Sequence, residues 1–335
     1  MILVTGGTGL VGSHLLYRLA SNNDKIRAIY RSEEKLDIVK KVFSYYTDEV
    51  DALFNRIEWI KADLLNIPDL TEAFKKITHV YHSAALVSFE PDKYYLLKQT
   101  NTLGTANIVN LCLSNNIEKL CYVSSVATLG KSLTNAPIAE DTFWNPEEDN
   151  NVYAITKYGA EMEVWRGTQE GLDAVIVNPG VILGGGIWNH GTGNLFKRVA
   201  KGSKYYTNGV TGFVAVQDVV NIMILLMDSE IKNESYILVS EHWSFKQFLQ
   251  RIATHLSVAL PKKEIQPWQA ELGWRLDWLR NKITGKNRFL SKQMAQTINS
   301  KSVYSNSKIT SLLQYNWTPI EASIQTVSKQ FKTDN

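Results

Sequence analysis

From its first residue the chain alternates between short apolar runs and stretches of helical period. Ile2-Leu3-Val4-Thr5 has the length and β-branching of a strand, and apolar positions from Leu10 to Ala20 recur at helical spacing. Residues 25–30 alternate like a second strand, and 57–62 form a third after a long, charged, helix-like connection over 33–56. A helix is expected over 68–77, a fourth strand over 80–85, and a helix over 101–115. Residues 120–125 make a fifth strand ending in hydroxyls. Two prolines and several acids predict a surface loop over 131–150. A helix then opens near Val152 and runs to about Gly167, and 174–177 form a sixth strand. Strands and helices in alternation predict an α/β fold, a doubly wound parallel sheet with right-handed crossovers.

The first turn carries the chemistry. Gly6-Gly7-Thr8-Gly9-Leu10-Val11-Gly12 joins the first strand to the first helix, which is the setting a dinucleotide fingerprint requires. Gly6 or Gly7 permits the sharp turn, Gly9 lets the backbone approach a pyrophosphate, and Gly12 lets helix and strand pack closely. Free N–H groups where the helix opens, at Leu10 and Val11, would hold the negative charge. Arg31 follows the second strand at the point that faces the adenosine ribose. An arginine there suits a 2′-phosphate, so NADP(H) is the expected cofactor, with NAD(H) the alternative. Asp63, with Leu64, ends the third strand where a carboxylate would accept from the adenine amino group. Ala84 and Ala85 would floor a flat ring.

Beyond residue 180 the pattern loosens. Gly184-Gly185-Gly186 and Gly191-Thr192-Gly193 flank Trp188 and His190, which predicts a mobile segment over the cleft. A strand over 212–216, and a helix capped by Asp218 and running through Met227, are expected to return to the first domain. The division is therefore a dinucleotide-binding Rossmann domain over 1–180 and a mainly substrate-binding region over 181–335.

With 44% hydrophobic and 21% charged residues, the 335-residue chain has a globular composition. Its net charge of +3 is no nucleic-acid signature, and no run approaches the roughly 20 apolar residues of a membrane span. A strand starting at Ile2 leaves no room for a signal peptide, so a cytoplasmic enzyme is expected. Cys112 and Cys121 suit buried thiols rather than a bridge, and the six histidines lack ligand spacing, so no metal is expected.

Tyr153 and Lys157 lie four residues apart on one helix face. A phenol titrates near pH ~10, too high for proton transfer at neutrality. A nearby ammonium favours the phenolate and lowers that value. Ser124 and Ser125 end a strand at the edge where such sheets bind ligands, and a hydroxyl there would donate to a carbonyl oxygen.

Together these residues resemble the extended short-chain dehydrogenase/reductase superfamily. The likeness rests on Thr5 through Gly12, Asp63-Leu64, His82 through Ala85, Asn101 with Gly104-Thr105, and Tyr122 through Ser125 leading to Gly130. It continues with Tyr153 and Lys157, Asn178-Pro179-Gly180, and Val216 through Val219. The resemblance implies Ser125 as the catalytic serine and Tyr153 as the general acid/base. It implies Lys157 as the lysine that binds the nicotinamide ribose and lowers the tyrosine's pKa. Asn101 would support them, and Pro179 would contact the cofactor. Asn178 through Gly184 is similar to the branch holding dihydroflavonol reductases and 3β-hydroxysteroid dehydrogenases. The implied activity is reduction of an apolar or aromatic ketone or aldehyde, or oxidation of a secondary alcohol. The rivals are a nucleotide-sugar epimerase or dehydratase and an NADP-binding sensor without chemistry. A homodimer through helices 101–115 and 152–166 is also implied.

Trp268, Leu272, Leu276, Leu279 and Ile283 share one helix face, with Trp274 and Trp278 beside it. Packing against the main domain is the plain reading. A lid over an apolar substrate is a second. A third is a membrane-surface helix, given Arg275, Arg280, Lys282, Lys286 and Arg288, although Glu271 and Asp277 interrupt the basic face. Lys197, Arg198, Lys201 and Lys204 are spaced as a solvated helix face, with diphosphate binding the alternative.

Overall fold

The computed structural model describes the chain except residues 23, 133–135, 286–287, 289–291, 293–294 and 296–297. Six of the apolar runs become strands: β1 (Ile2–Thr5), β2 (Ile26–Tyr30), β3 (Ile57–Lys61), β4 (His79–His82), β5 (Lys119–Val123) and β6 (Ala174–Pro179). The chain then forms β7 (Val181–Leu183), β8 (Tyr205–Tyr206), β9 (Val210–Ala215), β10 (Glu234–Leu238), β11 (Glu241–Ser244) and β12 (Lys263–Glu264). Seven of these make one parallel sheet in the order β10-β6-β5-β4-β1-β2-β3. The strand order reverses between β1 and β4, and that switch point opens a crevice at the carboxyl ends.

Helices cover both faces, which is why β5 and β6 are apolar nearly throughout. Leu15, Leu16, Phe43, Val219 and Met223 fill one side, and Leu70, Phe74, Ile108, Cys112 and Val164 the other. Cys112 and Cys121 are buried free thiols, and burial raises both pKa values, that of Cys121 to about 12.

The structure departs from the sequence pattern in four places. The strand expected over 212–216 does not return to the main sheet. It is β9, and it pairs with β7 and β11 in a separate three-stranded sheet. Helix Val216–Met227 does pack under the main sheet, where Lys119 Nζ donates to the Leu226 and Ser229 carbonyls, both at 2.6 Å. Asp218 does not cap that helix. It is buried, and accepts from the Thr318 amide (2.9 Å), the Thr318 hydroxyl (2.8 Å) and the Tyr315 hydroxyl (3.1 Å). Position 218 lies inside the first turn, so its carboxylate faces a partner distant in sequence.

The glycine-rich stretch near 190 is not merely a loop, since Gly191–Ala200 forms a helix that buries Phe196 and Val199. Phe213, Phe248, Ile324 and Phe331 complete that smaller core. The connection over 33–56 is not one helix but the short helices Leu36–Phe43 and Val50–Phe54. Among the described residues, no helix is long and apolar enough to cross a membrane.

Candidate active site

The crevice begins at the glycine loop. Gly6 adopts φ +71° and sits so close to the next strand's end that a Cβ would lie 2.6 Å from the Ala84 nitrogen. A Cβ on Gly12 would lie 2.2 Å from the Gly6 carbonyl oxygen. Only hydrogen fits at either position. Helix Leu10–Ser21 starts after Gly9 with no side-chain cap, so the N–H groups of its first turn are left for a ligand. A tight, uncapped helix start at the switch point fits a dinucleotide's pyrophosphate.

The loop is held by a buried histidine. His82 Nδ1 lies 2.6 Å from the Thr5 hydroxyl and Nε2 lies 2.9 Å from the Thr105 hydroxyl. Burial, helped by the Lys157 charge, lowers its pKa to about 3, so the ring is neutral. Ala84 follows with its amide 3.4 Å from the same Thr5 hydroxyl.

Arg31 and Asp63 leave adjacent strand ends and meet 3.7 Å apart, both about half exposed. Asp63 also accepts from the Leu65 amide at 2.9 Å, and Leu64 is buried against Gly104. Pro179 closes β6 beside Asn178, whose buried side chain donates to Thr128 and Glu161 at 3.0 Å each.

Ser125 stands just past β5, its hydroxyl accepting from the Ala127 amide at 3.1 Å. Helix Val152–Gln169 presents Tyr153 in its first turn, where Asn151 caps by accepting from the Ala154 amide at 2.9 Å. Burial raises the Tyr153 phenol above its ordinary pKa, and the nearby Ser125 hydroxyl partly offsets this. The ring meets Phe89 edge-on at 5.5 Å.

Lys157 departs from the expected pairing. Its ammonium donates to the Tyr122 hydroxyl at 2.6 Å and the Val123 carbonyl at 2.8 Å. The side chain therefore runs under the strand end, and relief of the Tyr153 pKa comes from Ser125 instead. Burial lowers Lys157 itself to about 7, against the opposing pull of Glu161.

Two supports escaped the sequence reading or were only sketched by it. Glu161 continues the Tyr153–Lys157 face by another four residues, a spacing that would have flagged it. Its Oε2 accepts from Ser124 (2.5 Å), Thr128 (2.8 Å) and Asn178 (3.0 Å), tying β5, β6 and the helix together. Asn101 sits in a turn of π-helix over Lys98–Leu103. It accepts from the Leu86 amide at 2.8 Å and donates to the Leu86 carbonyl at 3.0 Å and to Thr156 at 3.3 Å.

Lys197 and Arg198 lie on the outer side of helix Gly191–Ala200, with Lys197 donating to Asn189 at 2.7 Å. Lys201 and Lys204 follow it and are exposed. Among the described residues, no cluster of three or more His, Cys, Asp or Glu side chains is arranged to hold a metal.

A parallel sheet in this order, with a glycine cradle at its switch point, defines a Rossmann-fold nucleotide-dependent enzyme. The model of the NAD-dependent epimerase/dehydratase family matches residues 2–238, and the chain belongs to that family, as an NAD(P)-dependent enzyme of extended short-chain dehydrogenase/reductase type. A Synechocystis protein provisionally named dihydroflavonol 4-reductase is 28% identical over 289 residues, covering 84% of this chain and 78% of the relative. Sterol demethylase protein B of Methylococcus capsulatus is 28% identical over 271 residues, covering 79% and 77%. The Thermus thermophilus UDP-glucose 4-epimerase, solved with NAD, superposes with a TM-score of 0.75 at 20% identity, covering 99% and 98%.

Proposed function

We propose that this protein is an NADP(H)-dependent reductase of an apolar or aromatic ketone or aldehyde, or the corresponding alcohol dehydrogenase in reverse. The observation that carries the reading is the placement of Tyr153, in the first turn of helix Val152–Gln169, beside Ser125 at the carboxyl edge of the sheet, where the Ser125 hydroxyl partly offsets the burial that raises the phenol's pKa. In the reducing direction Ser125 donates to the substrate oxygen, and Tyr153 delivers its proton to that oxygen. The nicotinamide, when bound, supplies the hydride to the carbonyl carbon. Lys157, whose ammonium is held beneath the end of β5 by the Tyr122 hydroxyl and the Val123 carbonyl, would hold the nicotinamide ribose. Phe89 against the Tyr153 ring gives this mouth an apolar wall. Arg31, half exposed at the end of β2, favours a 2′-phosphate and hence NADP(H) over NAD(H).

In this reading residues 1–180, with helix Val216–Met227 and β10, bind the cofactor, and most of 181–335 shapes the substrate site. Exposed Leu103, Ile155 and Met162 near or on the two packed helices suit the interface of a homodimer.

The second reading is an epimerase or dehydratase that returns hydride within one turnover. The family match and the epimerase-like fold favour it. NADPH consumption against a panel of apolar ketones and aldehydes separates the two, with NADH and Tyr153→Phe run alongside. Turnover that prefers NADPH and vanishes in the variant supports the reductase. Retained cofactor with no net consumption, and conversion of a nucleotide sugar instead, would overturn it.

A further inference from the structure

Helix Pro267–Thr284 turns its apolar stripe away from the protein. Trp268, Leu272, Leu276, Leu279 and Ile283 are between 48% and 75% exposed. Ala270, on the opposite face, is the one residue of the helix that is buried. The stripe therefore neither packs against the main domain nor closes over the crevice, which corrects the plain reading of this segment. Five large apolar side chains in one exposed row need a covering surface.

Charge selects that surface. Between residues 267 and 292 the chain has six basic residues and two acids, while the whole protein carries a net charge of only +3. Arg275 and Lys282 flank one edge of the stripe and Arg280 the other. Glu271 pairs with Arg275 at 2.7 Å and Asp277 with Arg280 at 2.8 Å, so the surplus charge is that of Lys282 on the helix and of Lys286, Arg288 and Lys292 after it in the sequence. Lys282 lies over the Trp278 ring at 4.3 Å, and Arg275 over Trp274 at 4.9 Å. Aromatic rings with a basic rim around an apolar row suit the headgroup boundary of an anionic bilayer.

A second copy fits less well. A two-fold antiparallel pairing of this helix, centred near Leu276, would set the two Arg275 side chains and their basic rims against each other.

We propose that helix Pro267–Thr284 docks the enzyme on the surface of a membrane rich in anionic lipid, lying in the interface with its stripe immersed. This does not depend on which carbonyl compound is the substrate.

Flotation of the full-length protein with vesicles tests it. One set holds phosphatidylcholine alone, and the other phosphatidylcholine with phosphatidylglycerol. The protein should float with the anionic vesicles, weakly or not at all with the neutral ones, and less as salt is raised. Leu272→Ser combined with Leu279→Ser should cut the partition coefficient at least about tenfold. Because both side chains are exposed, thermal unfolding should be unchanged. Equal binding to both vesicle types, binding indifferent to the double substitution, or no binding overturns the proposal. In that last case, a dimer in sedimentation that dissociates on the same substitution would assign the face to a second copy.

Discussion

The Lys157 ammonium lies 2.6 Å from the Tyr122 hydroxyl, which accepts one of its protons beneath the end of β5. This contact stabilises the charged amine against burial, which already holds its pKa down near 7. Tyr122→Phe removes the acceptor, so Lys157 should lose its proton at still lower pH. If the proposed mechanism needs the ammonium, the alkaline limb of the pH–rate profile should move toward acid in the variant. Superimposable profiles for the two proteins would detach Lys157 from the proton chemistry.

Tyr153→Phe deletes the proposed proton donor while keeping the ring against Phe89. Turnover should fall by roughly 10²–10⁴. NADPH affinity, followed by cofactor fluorescence, should be nearly unchanged. A variant that keeps turning over would remove Tyr153 from the reaction.

Arg31→Ser tests the cofactor preference. Loss of a charge-assisted contact to a 2′-phosphate should weaken NADPH at least about tenfold and leave NADH nearly unaffected. Asp63, 3.7 Å away, loses its ion-pair partner in this variant, which adds to the bias against a phosphate. Parallel losses for both cofactors would contradict the assignment.

Gly12→Ala forces a methyl group to within 2.2 Å of the Gly6 carbonyl oxygen, and backbone rather than a flexible side chain must yield. The substitution should destabilise the fold by about 1–3 kcal/mol. It should also abolish saturable dinucleotide binding in a titration.

Two buried histidines make the fold sensitive to acid. Burial lowers His82 to about 3 and His14 to about 4, from an ordinary value of 6.5. Between those limits the unfolded chain binds protons that the folded chain refuses. Stability from each is thus complete above pH 6.5 and lost as pH falls toward the folded values. Going from pH 7 to pH 5, each should cost about 2 kcal/mol. Urea unfolding at the two pH values should show this, and His82→Asn should reduce the pH dependence.

Most elements of the first 180 residues, and the residues of the candidate site, were legible along the chain. Apolar runs of strand length mark β5 and β6 because a strand covered on both faces is apolar nearly throughout, and alternation marks β2. Gly6, Gly9 and Gly12, and the spacing of Tyr153 and Lys157, are local patterns, so each position carries its own signal.

What only tertiary structure decided involves partners far apart in sequence. Asp218 looked like a helix cap and instead binds Thr318, because a carboxylate's partner depends on what packs against it. The strand over 210–215 had the right composition for the main sheet. It pairs elsewhere because β10 occupies the edge beside β6. Lys157 sits four residues from Tyr153 as the helix dictates, yet its ammonium goes to Tyr122, a direction set by β5 beneath it. Periodicity marked the apolar face from Trp268 to Ile283 but not which way it looks. A repeat of 3.6 residues specifies that a helix has a face, and only the packing around Ala270 turns that face outward.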